Sequence, residues 1–311
     1  MAETKATRDG FGEALAELGS NKDIVVLDAD LSESTRTHKF AQKYPERFLD
    51  MGIAEQDLVA TAAGLAASGK IPFACSFAAF ITGRANDQIR LNAGISKLNI
   101  KLVGSHAGLL TGEDGASHQS LEDIGLMRCI PGMTVIQPAD FIEAKEATKA
   151  AAKLKGPVYL RLGRGKVPVI NNENYKFELG KGATLKDGKD ITIIATGALV
   201  HEALAAHEEL KKQNISARII NIHTIKPIDK NIIIKAAKET KAIVTAEDHG
   251  INGGLGSIVA EILSENIPVP LERLGTNDTF GESGKPEELY KKYGFTPENI
   301  IKVVKKALKR K

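Results

Sequence analysis

The sequence predicts an α/β protein of two domains, each a mainly parallel sheet flanked by helices. Short β-rich runs alternate with longer helical patterns along its 311 residues, and this alternation is typical of parallel sheets covered on both faces. The strand candidates are nearly continuous apolar runs, as expected for strands that are buried on both sides. A polar stretch interrupts the alternation once, so both length and pattern favour two domains.

The first domain is predicted over residues 1–165. Its strand candidates are IVVLDAD (24–30), IPFACSF (71–77), IKLVGSH (100–106), MTVIQPA (133–139) and PVYLRL (157–162). The segments between them carry apolar residues at helical spacing, for example AEQDLVATAAGLAASG and DFIEAKEATKAAAKL. The pattern therefore predicts helices that connect the parallel strands.

The second domain is predicted over residues 191–311, after a connection over residues 166–190. The connection is rich in Gly, Lys and Asn and has little sustained periodicity. A second alternating set follows, made of ITIIATG, ARIINIHTI, KAIVTAED, GLGSIVAEILSEN and closing helices. Glu247 and His249 lie where the third of these runs ends, and we expect them to serve structure or an interface.

Composition and charge exclude several classes of protein. The net charge is +3, from 42 basic and 39 acidic residues, which is too even for a polyanion-binding surface, so we expect no nucleic-acid partner. No run reaches the roughly 18 apolar residues of a membrane span, and the amino terminus lacks the apolar core of a signal peptide. Cys75 and Cys129 stand alone in apolar runs, which favours buried free thiols and a reducing, cytoplasmic location.

The segment GSHAGLLTGEDGASHQ holds the densest set of chemical groups in the chain. It contains His106, Glu113, Asp114 and His118 among four glycines. Because it follows a strand of a predicted parallel sheet, we expect it to line a cleft at the carboxyl ends of the strands. The compact spacings of zinc sites are absent, so an acid/base or hydroxyl-binding role is favoured over metal binding. A solvated glycine-rich surface loop is the structural alternative.

The segment GIAEQ places Glu55 at the start of a predicted helix of mostly small apolar residues. An acid in the first turn of a helix is commonly there because it interacts with the positive end of the helix dipole. This structural interpretation stays open for Glu55 when the segment is considered alone.

Four motifs together resemble the pyrimidine-binding domain of transketolase: DMGIAEQDLVATAAGLA, CSFAAFITGRANDQIR, GSHAGLLTGEDGASHQSLEDIGLMRCIPGMTVIQPAD and LGRG. Residues 191–311 resemble the C-terminal domain of the same family. Whole transketolases also carry an N-terminal domain in which a GDG motif and a later Asn hold Mg and the diphosphate of thiamine diphosphate, and this sequence contains no GDG. The chain therefore resembles the C-terminal subunit of a split transketolase.

The resemblance implies partners and a cofactor. A separate N-terminal subunit would bind Mg and the diphosphate group, while this chain binds the pyrimidine end of thiamine diphosphate and holds no metal itself. In the family the cofactor lies between two protomers, so the resemblance implies a heterotetramer with two copies of each chain. We expect the isolated chain to form at most a homodimer and to bind the cofactor weakly.

The resemblance gives Glu55 a catalytic role. In the family a matching Glu hydrogen-bonds the ring nitrogen of the aminopyrimidine, and proton sharing there promotes loss of the thiazolium proton. An apolar pocket would favour the protonated acid that this requires. Phe77 and Phe80 match the cofactor-binding aromatic pair, with Phe80 stacked on the pyrimidine, although core packing remains an alternative for Phe77. Gly83 stands where many members of the family carry a further aromatic residue.

The resemblance also assigns substrate-binding residues, which are His106, Asp114, His118, Arg164, Arg8 and Ser34. The two histidines match catalytic groups that contact the hydroxyls and carbonyl of the donor, since a neutral imidazole can both give and accept a proton. Asp114 matches an acid that accepts a hydroxyl hydrogen bond. Arg164 and Arg8 match phosphate anchors, with Ser34 as a hydroxyl donor beside them. A solvated surface arginine remains an alternative for Arg8.

The implied reaction transfers a two-carbon ketol unit from a ketose phosphate to an aldose phosphate, as in the pentose phosphate pathway. The beta chain of a 2-oxo acid dehydrogenase decarboxylating component also carries GIAEQ, and so does deoxyxylulose-phosphate synthase. The acid–histidine pairing in GEDGASH argues against the former, and His106 in GSHAG argues against the latter. A non-catalytic partner subunit is the alternative from another functional class.

Overall fold

The computed structural model describes residues 3–311. The first half of the chain contains strands β1 (Thr4–Ala6), β2 (Ile24–Asp28), β3 (Phe48–Asp50), β4 (Ile71–Phe77), β5 (Lys101–Ser105), β6 (Thr134–Ile136), β7 (Val158–Arg161) and β8 (Lys166–Pro168). Its α-helices are α1 (Thr7–Leu18), α2 (Ser32–Thr35), α3 (His38–Ala41), α4 (Glu55–Ala67), α5 (Asn86–Ile89), α6 (Asp123–Arg128) and α7 (Phe141–Lys153). Two 3-10 segments cover Pro45–Arg47 and Leu109–Asp114, and two π-helical segments cover Phe80–Arg84 and Arg90–Ile95.

The second half contains strands β9 (Ala183–Lys186), β10 (Ile191–Ala195), β11 (Ala217–Asn221), β12 (Thr224–Lys226), β13 (Ile243–Gly250) and β14 (Leu271–Thr276). Its helices are α8 (Leu199–Lys212), α9 (Lys230–Thr240), α10 (Leu255–Asn266), α11 (Pro286–Tyr293) and α12 (Pro297–Leu308). None of the helices within residues 3–311 is long and apolar enough to cross a membrane.

Two large sheets form the centres of the two domains. The first has the order β12-β6-β7-β5-β4-β2-β3 and is parallel except at its β12 edge. The second has the order β14-β13-β10-β11-β9 and is parallel except at its β9 edge. Each predicted strand of the first domain is present, and the predicted α/β class with mainly parallel sheets is confirmed.

The stretch predicted as a connection carries two short strands. Strand β8 pairs antiparallel with β1, next to the first domain, and β9 forms an edge of the second sheet. Strand β12 comes from the second half of the chain, yet it extends the first sheet beside β6. The domain boundaries at residues 165 and 191 stay predictions, because chain segments cross between the two sheets on both sides of the connection.

The expectation of two buried thiols is wrong for one of them. Cys75 lies within β4 and is fully buried, but Cys129 is exposed. Cys129 follows the last residue of α6, where the apolar neighbours Met127 and Ile130 are the ones that face the core. The apolar run therefore marks one face of a short helix, and Cys129 lies on the other face. A cytoplasmic location stays a prediction.

A buried polar interface joins the two domains. Arg161 at the end of β7 donates to the carboxylate of Asp123 at 2.7 Å and to the backbone oxygens of Ser120 and Asp248 at 3.1 and 3.0 Å. Asp248 belongs to β13 of the second domain, and its carboxylate accepts a hydrogen bond from the hydroxyl of Tyr290 at 2.9 Å. The guanidinium thus connects both domains through buried hydrogen bonds, which fixes the loop that follows β5.

Helix α4 presents an acid to the carboxyl edge of the first sheet. Its buried face consists of small and medium apolar side chains, including Leu58, Val59 and Ala62. Small residues allow the helix to lie close to the sheet, and Glu55 in the first turn is only 1% exposed. The carboxylate therefore needs polar partners, because an ionised acid is costly to bury alone.

Candidate functional site

The candidate site lies at the carboxyl ends of β4 and β5, where parallel sheets commonly bind ligands. Phe77 is the last residue of β4, and His106 follows the last residue of β5. The start of α4 brings Glu55 to the same edge, since Ser76 of β4 donates to its carboxylate at 3.0 Å. The 3-10 segment after β5 leads to His118, which completes the cleft.

The carboxylate of Glu55 has two side-chain donors. Ser76 Oγ donates to Oε1 at 3.0 Å, and Arg84 Nη1 donates to Oε2 at 2.6 Å. The Arg84 side chain is 46% exposed, and its guanidinium carbon lies 4.7 Å from the ring centre of Phe80. The pocket around Glu55 is therefore not purely apolar, which corrects the expectation from the sequence. Arg84 was not among the residues predicted for the site.

Four aromatic rings form one wall of the cleft. Phe77 stacks on His106 with ring centres 3.9 Å apart and lies 5.9 Å from Phe80. His118 meets the ring of Phe80 edge-on at 5.1 Å. Within this wall Phe77 is buried, whereas Phe80 is half-buried and exposes part of its ring. Phe80 is thus placed to stack on a planar ligand, and Phe77 supports His106 from below.

His106 is held in one orientation and one tautomer. Its Nδ1 lies 2.9 Å from Ser105 Oγ, and its Nε2 lies 3.3 Å from Arg8 Nη1. Because a guanidinium only donates hydrogen bonds, Nε2 is the acceptor and Nδ1 carries the proton. Burial, together with the positive charge of Arg8, lowers the pKa of His106 to about 3. The imidazole is therefore neutral. The backbone of His106 takes a left-handed φ of 57°.

The structure brings Arg8 and Ser34 to the same side of the cleft as His106. Arg8 Nη1 also donates to the backbone oxygen of Ser34 at 2.9 Å. Burial and the nearby charge of Arg36 lower the pKa of Arg8 to about 10, and its Nε has no protein partner among the described residues. A cation that is half-desolvated and not neutralised by a carboxylate is suited to bind an anion.

Arg164 and the loop acids lie near Arg8 and His106, since the charge of Arg164 contributes to the lowered pKa values of both groups. Arg164 Nη1 lies 3.5 Å from the Asp114 carboxylate and 3.6 Å from that of Glu113, and it donates to the backbone oxygen of Thr111. Asp114 is exposed, whereas His118 is half-buried with Nδ1 at 2.9 Å from Ser117 Oγ. This loop therefore offers an acceptor, an imidazole and a guanidinium to one polar ligand.

Residues 3–311 contain no group of three or more His, Cys, Asp and Glu side chains that could hold a metal ion.

The position of Gly83 faces open space, because a Cβ added there would have no atom within 4 Å. A larger side chain at this position would therefore meet open space.

Two α/β domains with a carboxylate, aromatic rings and histidines at the edge of the first sheet define a class of proteins with a pyrimidine-binding domain followed by a C-terminal domain. Residues 3–169 match the transketolase pyrimidine-binding domain, and residues 180–300 match the transketolase C-terminal domain. The chain therefore belongs to the transketolase family.

Several relatives have the same extent as this chain. A 6-deoxy-6-sulfo-D-fructose transketolase subunit of a Clostridium species is 45% identical over 305 residues, which cover 98% of this chain and 95% of that protein. A solved structure described as a split gene transketolase, inactive beta4 tetramer, has 50% identity and a TM-score of 0.92 and covers 98% and 99% of the two chains. Rattus norvegicus transketolase is 41% identical over 305 residues, which are 96% of this chain but 48% of that protein.

Proposed function

We propose that this chain is the C-terminal subunit of a split transketolase and that it transfers a two-carbon ketol unit between sugar phosphates together with an N-terminal subunit. The observation that supports this most directly is the convergence of Glu55, Phe80, His106 and His118 on one cleft. Relatives of equal length are named as a subunit and as a split gene product, and the chain matches about half of a full-length transketolase. The N-terminal subunit supplies the remaining half.

The residues of the cleft fit the pyrimidine end of thiamine diphosphate. Glu55 is a buried acid that can hold a proton at a ring nitrogen, and the half-exposed ring of Phe80 can stack on a planar heterocycle. When bound, this coenzyme supplies the nucleophilic carbon and the electron sink for cleavage of a carbon–carbon bond beside a carbonyl. The partner subunit holds the diphosphate and Mg, in agreement with the lack of a GDG motif in this chain.

The other groups act on the sugar phosphate. His106 is neutral, and His118 lies beside the exposed ring of Phe80, so both can exchange protons or hydrogen bonds with substrate oxygens. Asp114 accepts from a hydroxyl group. Arg8 and Arg164 bind the phosphate together, which orients the reacting carbons.

Reconstitution tests the proposed function. The chain is mixed with the N-terminal subunit, thiamine diphosphate and Mg, and ketol transfer between sugar phosphates is measured. We expect activity only when all components are present. The isolated chain is expected to be inactive, in line with the inactive tetramer of its relative. A reconstituted complex with no ketol transfer would leave the non-catalytic subunit as the better interpretation.

The arginines of the cleft would bind an anionic group on the donor sugar. One relative is named for a sulfo-sugar, and a sulfonate, like a phosphate, offers a guanidinium two acceptor oxygens. We propose sugar phosphates as donors because two arginines lie at the cleft and a phosphate carries more negative charge than a sulfonate. A panel of phosphorylated and sulfonated ketoses in the reconstituted complex decides between them by the ratio of their kcat/KM values.

A further inference from the structure

We propose that Arg84 occupies the pyrimidine site of the free chain and must be displaced before the coenzyme can bind. This inference rests on the proposed function, because it assigns a gating role to a residue within that binding site. Arg84 is a positioning residue in this proposal: it acts on the coenzyme through Glu55. Its pairing with Glu55 keeps the unassembled chain in a state of low affinity for the coenzyme.

Arg84 lies where the aminopyrimidine would bind. The guanidinium of Arg84 is a planar group of nitrogen donors, and it makes the two contacts that we propose for the aminopyrimidine. It lies over the ring of Phe80, at 4.7 Å from guanidinium carbon to ring centre, and it donates to Glu55 at 2.6 Å. A guanidinium and a pyrimidine cannot lie on the same ring face and contact the same carboxylate oxygen together.

The second argument concerns the proton of Glu55. A carboxylate that accepts from both Ser76 and Arg84 uses both oxygens as acceptors and is stabilised as the anion by the guanidinium. A hydrogen bond to an unprotonated ring nitrogen requires a donor, and a carboxylate donates only when it is protonated. When the coenzyme binds, Arg84 therefore has to leave and Glu55 has to take up a proton.

The third argument is that Arg84 is free to leave. Its side chain is 46% exposed, and among the described residues the only polar partner of its side chain is Glu55. It ends the π-helical segment Phe80–Arg84, a geometry often found at functional sites. The neighbouring Gly83 faces open space, since a Cβ at this position would meet no atom within 4 Å. Departure of Arg84 thus breaks one ion pair and one stacking contact.

The test uses the assembled complex of this chain with the N-terminal subunit. Thiamine diphosphate with Mg is titrated calorimetrically into complexes that contain wild-type chain, Arg84→Met or Arg84→Lys. Arg90→Met is the matched control, because Arg90 is an exposed arginine six residues further along with no ion pair among the described residues. Titrations in buffers with different heats of ionisation give the number of protons taken up on binding.

We expect Arg84→Met to bind the coenzyme about fivefold more tightly than wild type, the size of effect that loss of one partly exposed competing ion pair gives. We also expect a smaller proton uptake on binding, because no guanidinium then stabilises the Glu55 anion in the empty site. Arg84→Lys retains the charge and is expected to lie between the two. Arg90→Met is expected to behave as wild type.

Equal affinity and equal proton uptake in wild type and Arg84→Met, in complexes that remain active in ketol transfer, would overturn the gating role and leave the proposed function intact. A similar change in Arg90→Met would also overturn it, because the effect would then be one of general charge. If no complex binds the coenzyme and none transfers a ketol unit, the proposed function itself fails, and the gating role falls with it.

Discussion

Glu55 is the residue on which the proposed chemistry of the site depends. It is almost fully buried, it receives a hydrogen bond from Ser76, and it is paired with a guanidinium that reaches solvent. Replacement of that guanidinium by a ligand would convert a structural ion pair into a proton-holding contact. The same side chain can therefore stabilise the empty chain and serve as an acid in the assembled enzyme.

His118 is expected to act on the substrate without contributing to coenzyme activation. In the assembled complex, His118→Ala should lower the rate of ketol transfer by about a hundredfold, the usual contribution of one acid/base group, and should raise KM for the donor. The exchange of the thiazolium proton should keep its wild-type rate. His207→Ala, in the second domain, serves as the control. An equal loss of proton exchange in His118→Ala would place this residue at the coenzyme instead.

His106 is expected to make stability depend on pH in one direction. Its pKa is about 3 in the folded chain and 6.5 as the ordinary value, so below pH 6.5 the unfolded chain binds a proton that the folded chain does not. The stability present above pH 6.5 is lost as the pH falls towards 3, at about 1.4 kcal/mol per pH unit for one proton. His106→Asn, which tolerates the left-handed φ, should unfold in urea with a flatter pH dependence between pH 7 and 5.

Identical changes of the urea midpoint with pH in wild type and His106→Asn would contradict the neutral, buried state of this imidazole. His38→Asn, which replaces a half-buried histidine outside the cleft wall, is the control and should retain the wild-type pH dependence.

Much of the candidate site could be predicted from residue types and motifs. Glu55, Phe80, His106 and His118 were predicted from four motifs, and the structure brings these side chains to one cleft. Arg84 was missed although it stands within the second motif. An arginine at the end of a helical segment is commonly solvated. The π-helical geometry of Phe80–Arg84 cannot be recognised from the spacing of apolar residues.

At the scale of elements, strand β12 links the two domains. It pairs with β6 at the edge of the first sheet, and Lys226 at its end donates to the backbone oxygens of Arg128 and Ile130 at 2.8 and 2.6 Å. These oxygens belong to the last residue of α6 and to the turn after it, where a positive charge is favourable. A side chain from the second half of the chain therefore holds the end of a helix in the first.

Lys226→Met is expected to loosen helix α6. Loss of two charge-assisted hydrogen bonds should lower the free energy of unfolding by about 2 kcal/mol and speed up amide hydrogen exchange in α6. Lys230→Met removes an exposed lysine at the start of α9 and serves as the control. Unchanged exchange rates in α6 would show that strand pairing alone fixes the link between β12 and this helix.

Strands β2, β4, β5, β6 and β7 could be predicted because buried parallel strands are continuous apolar runs. Strands β1, β3, β8 and β9 could not be predicted, because each is only three or four residues long and depends on pairing with a partner distant in sequence. The predicted run ARIINIHTI divides into β11 and β12, which join different sheets. The exposed position of Cys129 was missed for a related reason. A short apolar run does not reveal which of its residues face the core.

At the scale of the whole molecule, the guanidinium of Arg161 couples the two domains, because it pairs with Asp123 of the first and donates to the backbone of the second. The side chain of Arg161 is 3% exposed, and that of Asp123 is fully buried. Arg161 donates to the backbone oxygen of Asp248 in the second domain. Loss of one partner of a buried pair leaves an uncompensated charge, which is strongly destabilising. We therefore expect the two domains to unfold together only while this interface is intact.

Arg161→Gln should lower stability by about 3 kcal/mol or more and should split a single calorimetric unfolding transition into two. Arg310→Gln is the matched control, since Arg310 forms a more exposed pair with Glu272, and pairs of this kind contribute little. Persistence of one transition in Arg161→Gln would mean that apolar contacts and strand β12 suffice to couple the domains.

Under the proposed function, Glu55 holds a proton at the ring nitrogen of the coenzyme. Hydrogen–deuterium exchange at the thiazolium carbon of thiamine diphosphate tests this role in the assembled complex, with wild-type chain and with Glu55→Gln. Glutamine fits the site but cannot share a proton as an acid, so we expect exchange to slow by about a hundredfold or more. Assembly of the complex, measured by sedimentation, is expected to be unchanged. Exchange at the wild-type rate in Glu55→Gln would contradict the claim.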